Sequence, residues 1–196
     1  MEKADFRILV ADDDEITRDM LSGVLQAEGY PVVSAIDGLD AIRLLRVESI
    51  QLVLTDYTMP GANGIEVLRN ALRHNPDIAV VLLTAYGSLE TILETIKEGA
   101  YDYLIKPFNI QEVKFVVEKA FRRAMLIDEN KELIRHVRDT YRDMELIKNV
   151  AATKNPELTT SWIERVERLR QLGVLTQAEV AILKDRLVAG GEQGLL

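Results

Sequence analysis

Five residues scattered between positions 12 and 106 have the types and positions to do phosphoryl chemistry. Asp12 and Asp13 follow the run FRILVA, Asp56 follows QLVLT, Thr84 closes IAVVLLT, and Lys106 lies in YLIKPF. Each run is short and rich in Ile, Val and Leu, which is how buried parallel strands read. Residues at the carboxyl ends of such strands converge on one site. Two carboxylates for a divalent cation, a third as nucleophile, a hydroxyl and an ammonium together make a centre able to accept a phosphoryl group. Taken alone, residues 12–15 read as a helix cap with first-turn acids favoured by the helix dipole. Set opposite Asp56 that reading loses, because an acid ending an apolar strand is costly if buried unpaired, whereas Mg²⁺ prefers one or two carboxylates plus phosphate oxygens and water.

The elements that must position these groups alternate regularly. A first strand over about residues 6–11 leads to a helix over 15–28, with Gly29 placed as its left-handed stop. Pro31 opens the strand VVSA, and Gly38 precedes the helical spacing Leu39, Ile42, Leu45. After the strand ending at Asp56 comes the loop YTMPGANG, where Gly64 is expected to supply a tight turn. Ile65, Leu68 and Leu72 then mark a helix that stops before Asn75 and Pro76. Ser88 is expected to cap a further helix ending at Gly99, and YDYLIK is the fifth strand. Strands joined by helical crossovers form an open parallel sheet with helices on both faces, an α/β architecture.

The order Asp-Asp, Asp, Thr, Lys-Pro resembles the receiver domain of bacterial two-component response regulators, over roughly residues 5–122. The resemblance implies a flavodoxin-like doubly wound sheet of strand order 2-1-3-4-5. It implies that Asp56 is phosphorylated by a sensor histidine kinase, with Mg²⁺ held by Asp13, Asp56, the backbone carbonyl of Thr58 and, through water, Asp12. Thr84 and Lys106 would bind the phosphoryl oxygens, and Thr84 and Tyr103 would form the switch. The chain would then be a phosphoacceptor signalling protein rather than an enzyme in the ordinary sense. Sequence physics alone favours a trans Lys106-Pro107 bond, since about 5–6% of X-Pro bonds in folded proteins are cis; the resemblance implies cis. Ala62 and Asn63 stand where the commoner family pattern has Met and Asp.

The segment from Thr84 to Phe108, TAYGSLETILETIKEGAYDYLIKPF, resembles most closely the receivers of enhancer-binding transcription activators. No G-x-x-x-x-G-K-[ST] phosphate loop follows, so no ATPase of that kind is expected in this chain. Haloacid-dehalogenase-type phosphatases also use an aspartyl nucleophile after a strand, but they want an acid two residues on, where this chain has Thr58.

Bulk properties narrow the class further. The chain has 196 residues, no cysteine, 47% hydrophobic residues and a net charge of −8. Disulfide scaffolds, thiolate zinc sites and cysteine nucleophiles are excluded. The acidic balance argues against nonspecific nucleic-acid binding. No run is long enough to cross a membrane and no signal-peptide pattern opens the chain, so a cytoplasmic protein is expected.

Beyond Asn109, which with Glu112 forms a capping box, no Gly or Pro appears until Pro156. Val113, Val116 and Ala120 are expected to pack on the sheet. Ile127, Asn130, Ile134, Val137, Tyr141 and Met144 then recur at heptad spacing, a stripe that one helix cannot bury alone. They are expected to form the seam of a homodimeric coiled coil, the alternative being packing on the carboxyl-terminal segment of the same chain. That segment reads as a helical hairpin: Thr159 to Ser161 with Glu164 opens one helix, Gly173 stops it, and Thr176 with Glu179 opens another. The string LRQLGVLTQAEVAILKDRL resembles the short helical SHOCT domain, which implies a role in oligomerisation. LTQAE and AILK echo the helix-turn-helix of quorum-sensing-type regulators, but no basic recognition helix follows, so direct DNA binding is not expected. The expected domains are residues 1–122, a receiver; 123–155, a helical linker; and 156–196, an interaction module. A DNA-binding regulator with an atypical helical output is the alternative function.

Overall fold

The computed structural model describes residues 1–85, 93, 95–153, 156–173 and 175–189; side chains are described up to residue 142, and again over 163–173 and 175–185. Ser88 and most of the helix expected after it therefore lie outside the described residues. The chain divides into two compact units, Met1–Glu129 and Asn130–Leu196.

The first unit is built on five parallel strands: β1 (Ile8–Ala11), β2 (Val32–Ala35), β3 (Leu52–Asp56), β4 (Ala79–Thr84) and β5 (Asp102–Ile105). Their order is β2-β1-β3-β4-β5, the 2-1-3-4-5 arrangement expected from the sequence. The crossovers include α1 (Glu15–Ala27), α2 (Gly38–Val47) and α3 (Gly64–His74), and α4 (Ile110–Thr153) follows β5. Alternate residues along each strand feed opposite cores. Ile8, Val10, Leu52, Leu54, Val81 and Leu83 face one cluster with Leu21 and Leu25 of α1 and Val113, Val117 and Phe121 of α4. Leu9, Val53, Val80 and Leu82 face the other, with Leu45, Ile65 and Leu68 of α2 and α3. A strand buried on both faces must be apolar throughout, which is why these runs lack polar alternation.

The first core carries an aromatic trio. Phe6, Tyr30 and Phe121 meet edge to face with ring centroids 5.3–5.9 Å apart. They tie α4 to the start of the chain, and the Tyr30 hydroxyl donates to Glu118 on the same helix at 3.2 Å.

Local chemistry sets the element ends. Asp14, Asp37 and Asn63 cap α1, α2 and α3, and Asn63 forms a reciprocal capping box with Glu66. Asn63 thus does the capping work that an aspartate could do at the same place. The tight-turn role expected of Gly64 falls instead to Gly61, whose φ is +78°. Gly64 is the first residue of α3 and serves close packing: a Cβ there would lie 2.4 Å from the Asp56 carbonyl oxygen. Gly38 is likewise pressed on the Ala62 carbonyl, which a Cβ would meet at 1.8 Å.

In the second unit, α5 (Pro156–Gln171) and α6 (Gln177–Ala189) form a hairpin. The former starts at Pro156, earlier than the Thr159-to-Ser161 cap expected from the sequence, because proline suits a first helical turn. Gly173 has φ +73° and follows the helix, and Thr176 with Glu179 forms the expected box, Glu179 N–H donating to Thr176 Oγ1 at 3.3 Å and Thr176 N–H to Glu179 Oε2 at 2.8 Å. Val166, Leu175 and Val180 make its small core, flanked by Ile163, Leu169 and Leu183.

Candidate functional site

The carboxyl ends of β1, β3, β4 and β5 bring Asp12, Asp56, Thr84 and Lys106 to one edge of the sheet. Asp12 directly follows β1, Asp56 ends β3, and Thr84 ends β4. Thr84 fixes Lys106 through the backbone, its carbonyl accepting the Lys106 N–H at 2.8 Å. The Lys106-Pro107 bond is cis, as the family resemblance implies.

The Lys106 ammonium lies between two acids, donating to Asp12 Oδ2 at 2.8 Å and Asp56 Oδ1 at 2.5 Å. Asp12 is fully buried and Asp56 nearly so. Burial pushes the Asp12 carboxyl above the usual carboxylate range, the hydrogen bond and charge of Lys106 opposing it only in part. For Lys106, burial alone would lower the ammonium, but the two carboxylates outweigh it and hold the pKa above the ordinary lysine value.

Each acid has a second tether. Asp12 Oδ1 accepts the Asp14 N–H at 3.0 Å, and Asp56 Oδ2 accepts the Thr58 N–H at 2.7 Å. Thr58, expected to contribute its carbonyl, contributes its N–H to the geometry seen. Asp13 is exposed, and among the described residues its carboxylate accepts no hydrogen bond. Tyr103 is half-buried against the second core and pairs in register with Leu82, two residues before Thr84 on β4. Thr84 itself is buried.

Sequence reasoning did not anticipate Arg18, whose guanidinium donates to the Asp12 carbonyl at 2.9 Å, nor the backbone tethers of Asp14 and Thr58. Arg18 is four residues beyond the Asp14 cap, and nothing in its spacing separates it from an ordinary surface arginine.

Among the described residues, no three acidic or histidine side chains converge closely enough to hold a metal as they stand. The donor chemistry nonetheless suits a hard divalent cation. Two buried carboxylates face a single ammonium, a third carboxylate lies one residue away, and every available donor atom is an oxygen.

The site residues expected from the sequence fall into three groups. Asp12, Asp56 and Lys106 are in direct contact; Thr84 and Asp13 sit at the same sheet edge through the backbone; and Tyr103 lies on the neighbouring strand. In the second part of the chain, Ile134, Val137 and Tyr141 are 57%, 46% and 66% exposed, Asn130 is exposed and Ile127 half-buried. The Met144 side chain lies outside the described residues.

The comparisons agree with this arrangement. Residues 8–118 match the model of the response regulator receiver domain. Regulatory protein AtoC of Escherichia coli strain K12 is 36% identical over 131 residues, covering 67% of this chain and 28% of that protein. Sporulation initiation phosphotransferase F of Bacillus subtilis is 38% identical over 113 residues, 58% of this chain and 91% of that protein. The chain thus spans little more than a quarter of the larger regulators it matches. Among solved structures, a receiver domain from Clostridium thermocellum superposes with a TM-score of 0.59 at 31% identity, covering 62% of this chain and 98% of that one. The Thermotoga maritima response regulator TrrA, solved in complex with Mg(2+)-BeF, superposes with a TM-score of 0.54 at 36% identity, covering 59% and 98%. With the strand order, the acid-lysine cluster and a family match over more than half of its length, the chain belongs to the response regulator receiver domain family.

Proposed function

We propose that this chain is a response regulator of a two-component phosphorelay in which Asp56 accepts a phosphoryl group from a phosphohistidine of a sensor kinase. A carboxylate oxygen of Asp56 attacks phosphorus, the phosphorus-nitrogen bond breaks, and its electron pair leaves with the imidazole. The observation that carries this reading is the single ammonium of Lys106 shared by Asp12 and Asp56 at the strand ends.

Asp13, Asp56, the Thr58 carbonyl and, through water, Asp12 are the residues that would hold Mg²⁺. When bound, Mg²⁺ supplies the charge that lets a phosphoryl group approach several carboxylates. Lys106 binds a phosphoryl oxygen by exchanging its contact with Asp56 for one to the incoming group. The Thr58 N–H holds the Asp56 carboxylate in a fixed plane, so the nucleophile is oriented before the donor arrives. Thr84 bonds the phosphoryl group and Tyr103 answers the change, a two-state element. We place a receiver at residues 1–122, a linker helix at 123–155 and an interaction module at 156–196. Output passes through a homodimer joined along Ile127, Asn130, Ile134, Val137, Tyr141 and Met144, within a cytoplasmic protein.

The names of AtoC and of the transcriptional regulatory protein ZraR of Escherichia coli strain K12, which is 40% identical over 121 residues, favour a second reading, a transcription regulator whose atypical output is the carboxyl-terminal helices.

Incubation with acetyl phosphate and MgCl₂, followed by intact mass, tests the phosphoacceptor. The expected result is gain of one phosphoryl group, lost in Asp56→Asn and under chelation. Retention of the modification in Asp56→Asn would refute it.

A further inference from the structure

The three acids of the site are not held in the same way. Asp12 has both carboxylate oxygens engaged, by the Asp14 N–H and by Lys106. Asp56 does too, by Lys106 and the Thr58 N–H. Asp13 is exposed and engages no partner among the described residues, so its position is set by its backbone alone. That backbone begins at the Asp12-Asp13 peptide. Its carbonyl, on Asp12, lies where the strand has ended and the helix has not begun, so no ladder partner takes it.

The partner it does have is Arg18. The guanidinium reaches back from α1 to donate to this carbonyl at 2.9 Å, while the Arg18 N–H donates to the Asp14 carbonyl at 3.0 Å. Side chain and main chain of one residue thus clasp both ends of the Asp12-Asp13-Asp14 turn. Arg18 is half-buried, and among the described residues its guanidinium makes no ion pair with a carboxylate. A cation left out of surface ion pairs and committed to a single backbone carbonyl is doing geometric work.

We propose that Arg18 is a positioning residue of the cation site: by holding the Asp12 carbonyl it fixes the peptide plane from which the Asp13 carboxylate is presented to the divalent cation. The inference rests on the reading of Asp13 as a cation ligand given above. Groups that orient a ligand without touching the metal commonly account for roughly 10–100-fold in metal affinity.

The proposal has a simple rival, that Arg18 is only a nearby positive charge, and the two predict opposite signs. Removing a positive charge beside a cation site strengthens cation binding. Removing a positioning group weakens it.

Titrating MgCl₂ alone into the full chain by isothermal calorimetry separates these. Arg18→Met is expected to raise the Mg²⁺ dissociation constant roughly tenfold, with Arg18→Lys, which keeps a donor, recovering most of the loss. In an Asp13→Asn background Arg18→Met should add nothing, because no carboxylate remains to be placed. Equal or tighter Mg²⁺ binding by Arg18→Met overturns the proposal, and so does the same loss in the Asp13→Asn background. Should Arg18→Met fail to fold by circular dichroism, Arg18→Gln, too short to reach the carbonyl, carries the same comparison. Absence of Mg²⁺ binding by the unsubstituted chain would instead overturn the reading of the site itself, and this proposal with it.

Discussion

Replacing Lys106 by Met removes the one ammonium that, among the described residues, contacts the carboxylates of both Asp12 and Asp56. Two oxygens lying 2.8 and 2.5 Å from one nitrogen are no more than about 5 Å apart. At an effective dielectric of about 20, like charges at that distance repel by about 3 kcal/mol. This agrees with the lower end of the roughly 3–5 kcal/mol seen when one partner of a buried pair is removed, and the lower end is apt because the Lys106 side chain is 25% exposed. For a unit of this size the melting temperature should fall by roughly 10 °C at about pH 7.5 in chelator.

The same variant carries a pH signature. Without the ammonium, burial and the neighbouring Asp56 carboxylate both push Asp12 toward its protonated form, so the deficit should shrink as pH falls. The direction follows from linkage: burial already raises the Asp12 carboxyl in the folded protein, so the folded state gains relative stability as pH falls. Saturating Mg²⁺ should rescue the variant as well, by about 2.7 kcal/mol at a hundredfold excess over the dissociation constant. Differential scanning fluorimetry at two pH values, with and without MgCl₂, checks all three. A melting temperature equal to that of the unsubstituted chain, or a deficit indifferent to both pH and Mg²⁺, would refute the shared-ammonium argument.

Three further outcomes are expected. Asp12→Asn should raise the melting temperature at neutral pH in chelator, because the ionised carboxyl is disfavoured by burial in the folded state, while phosphorylation by acetyl phosphate slows; a lower melting temperature would count against it. Phe121→Ala should cost about 3–5 kcal/mol in denaturant unfolding, since it empties a buried ring site shared with Phe6 and Tyr30. In sedimentation, the full chain should be a dimer at micromolar concentration and Ile134→Asp with Val137→Asp a monomer, because burying unpaired like charges along a seam costs more than the seam gains; a monomeric unsubstituted chain in both phosphorylation states would overturn the seam.

Much of the site was legible because its residues break local rules. Acids and a lysine at the ends of apolar strands oppose good packing unless chemistry retains them, so Asp12, Asp56 and Lys106 announced themselves. The parallel sheet followed from the crossovers, and its strand order from the family resemblance. What could not be read were the contacts made through backbone. Gly64 and Gly61 stand three residues apart in one loop, and only the approach of Asp56 and the φ of Gly61 assign close packing to one and the turn to the other. Arg18 and the Thr58 N–H were hidden for the same cause: a side chain or amide that bonds a main-chain group leaves no complementary residue type to find in the sequence.

The charge state of the site connects its cost to its use. Two carboxylates on one ammonium leave the cluster net negative, and burial, which holds the Asp12 carboxyl above its usual range, adds to the cost of keeping both ionised. In the proposed reaction Asp56 exchanges a single negative charge for a phosphoryl group of about −1.5 to −2. Lys106, already held above its ordinary pKa by these acids, is then drawn toward the stronger anion and away from Asp12. Its backbone cannot follow freely, because its N–H is bonded to the Thr84 carbonyl and β5 is zipped to β4 in register from Val81 with Asp102 to Thr84 with Ile105. A pull on the Lys106 side chain is therefore delivered to the ends of β4 and β5, where Thr84 is buried and Tyr103 packs half-exposed two residues inside the strand end. In that reaction the tether that positions Lys106 for the phosphoryl group would also be the part that carries the change to the surface.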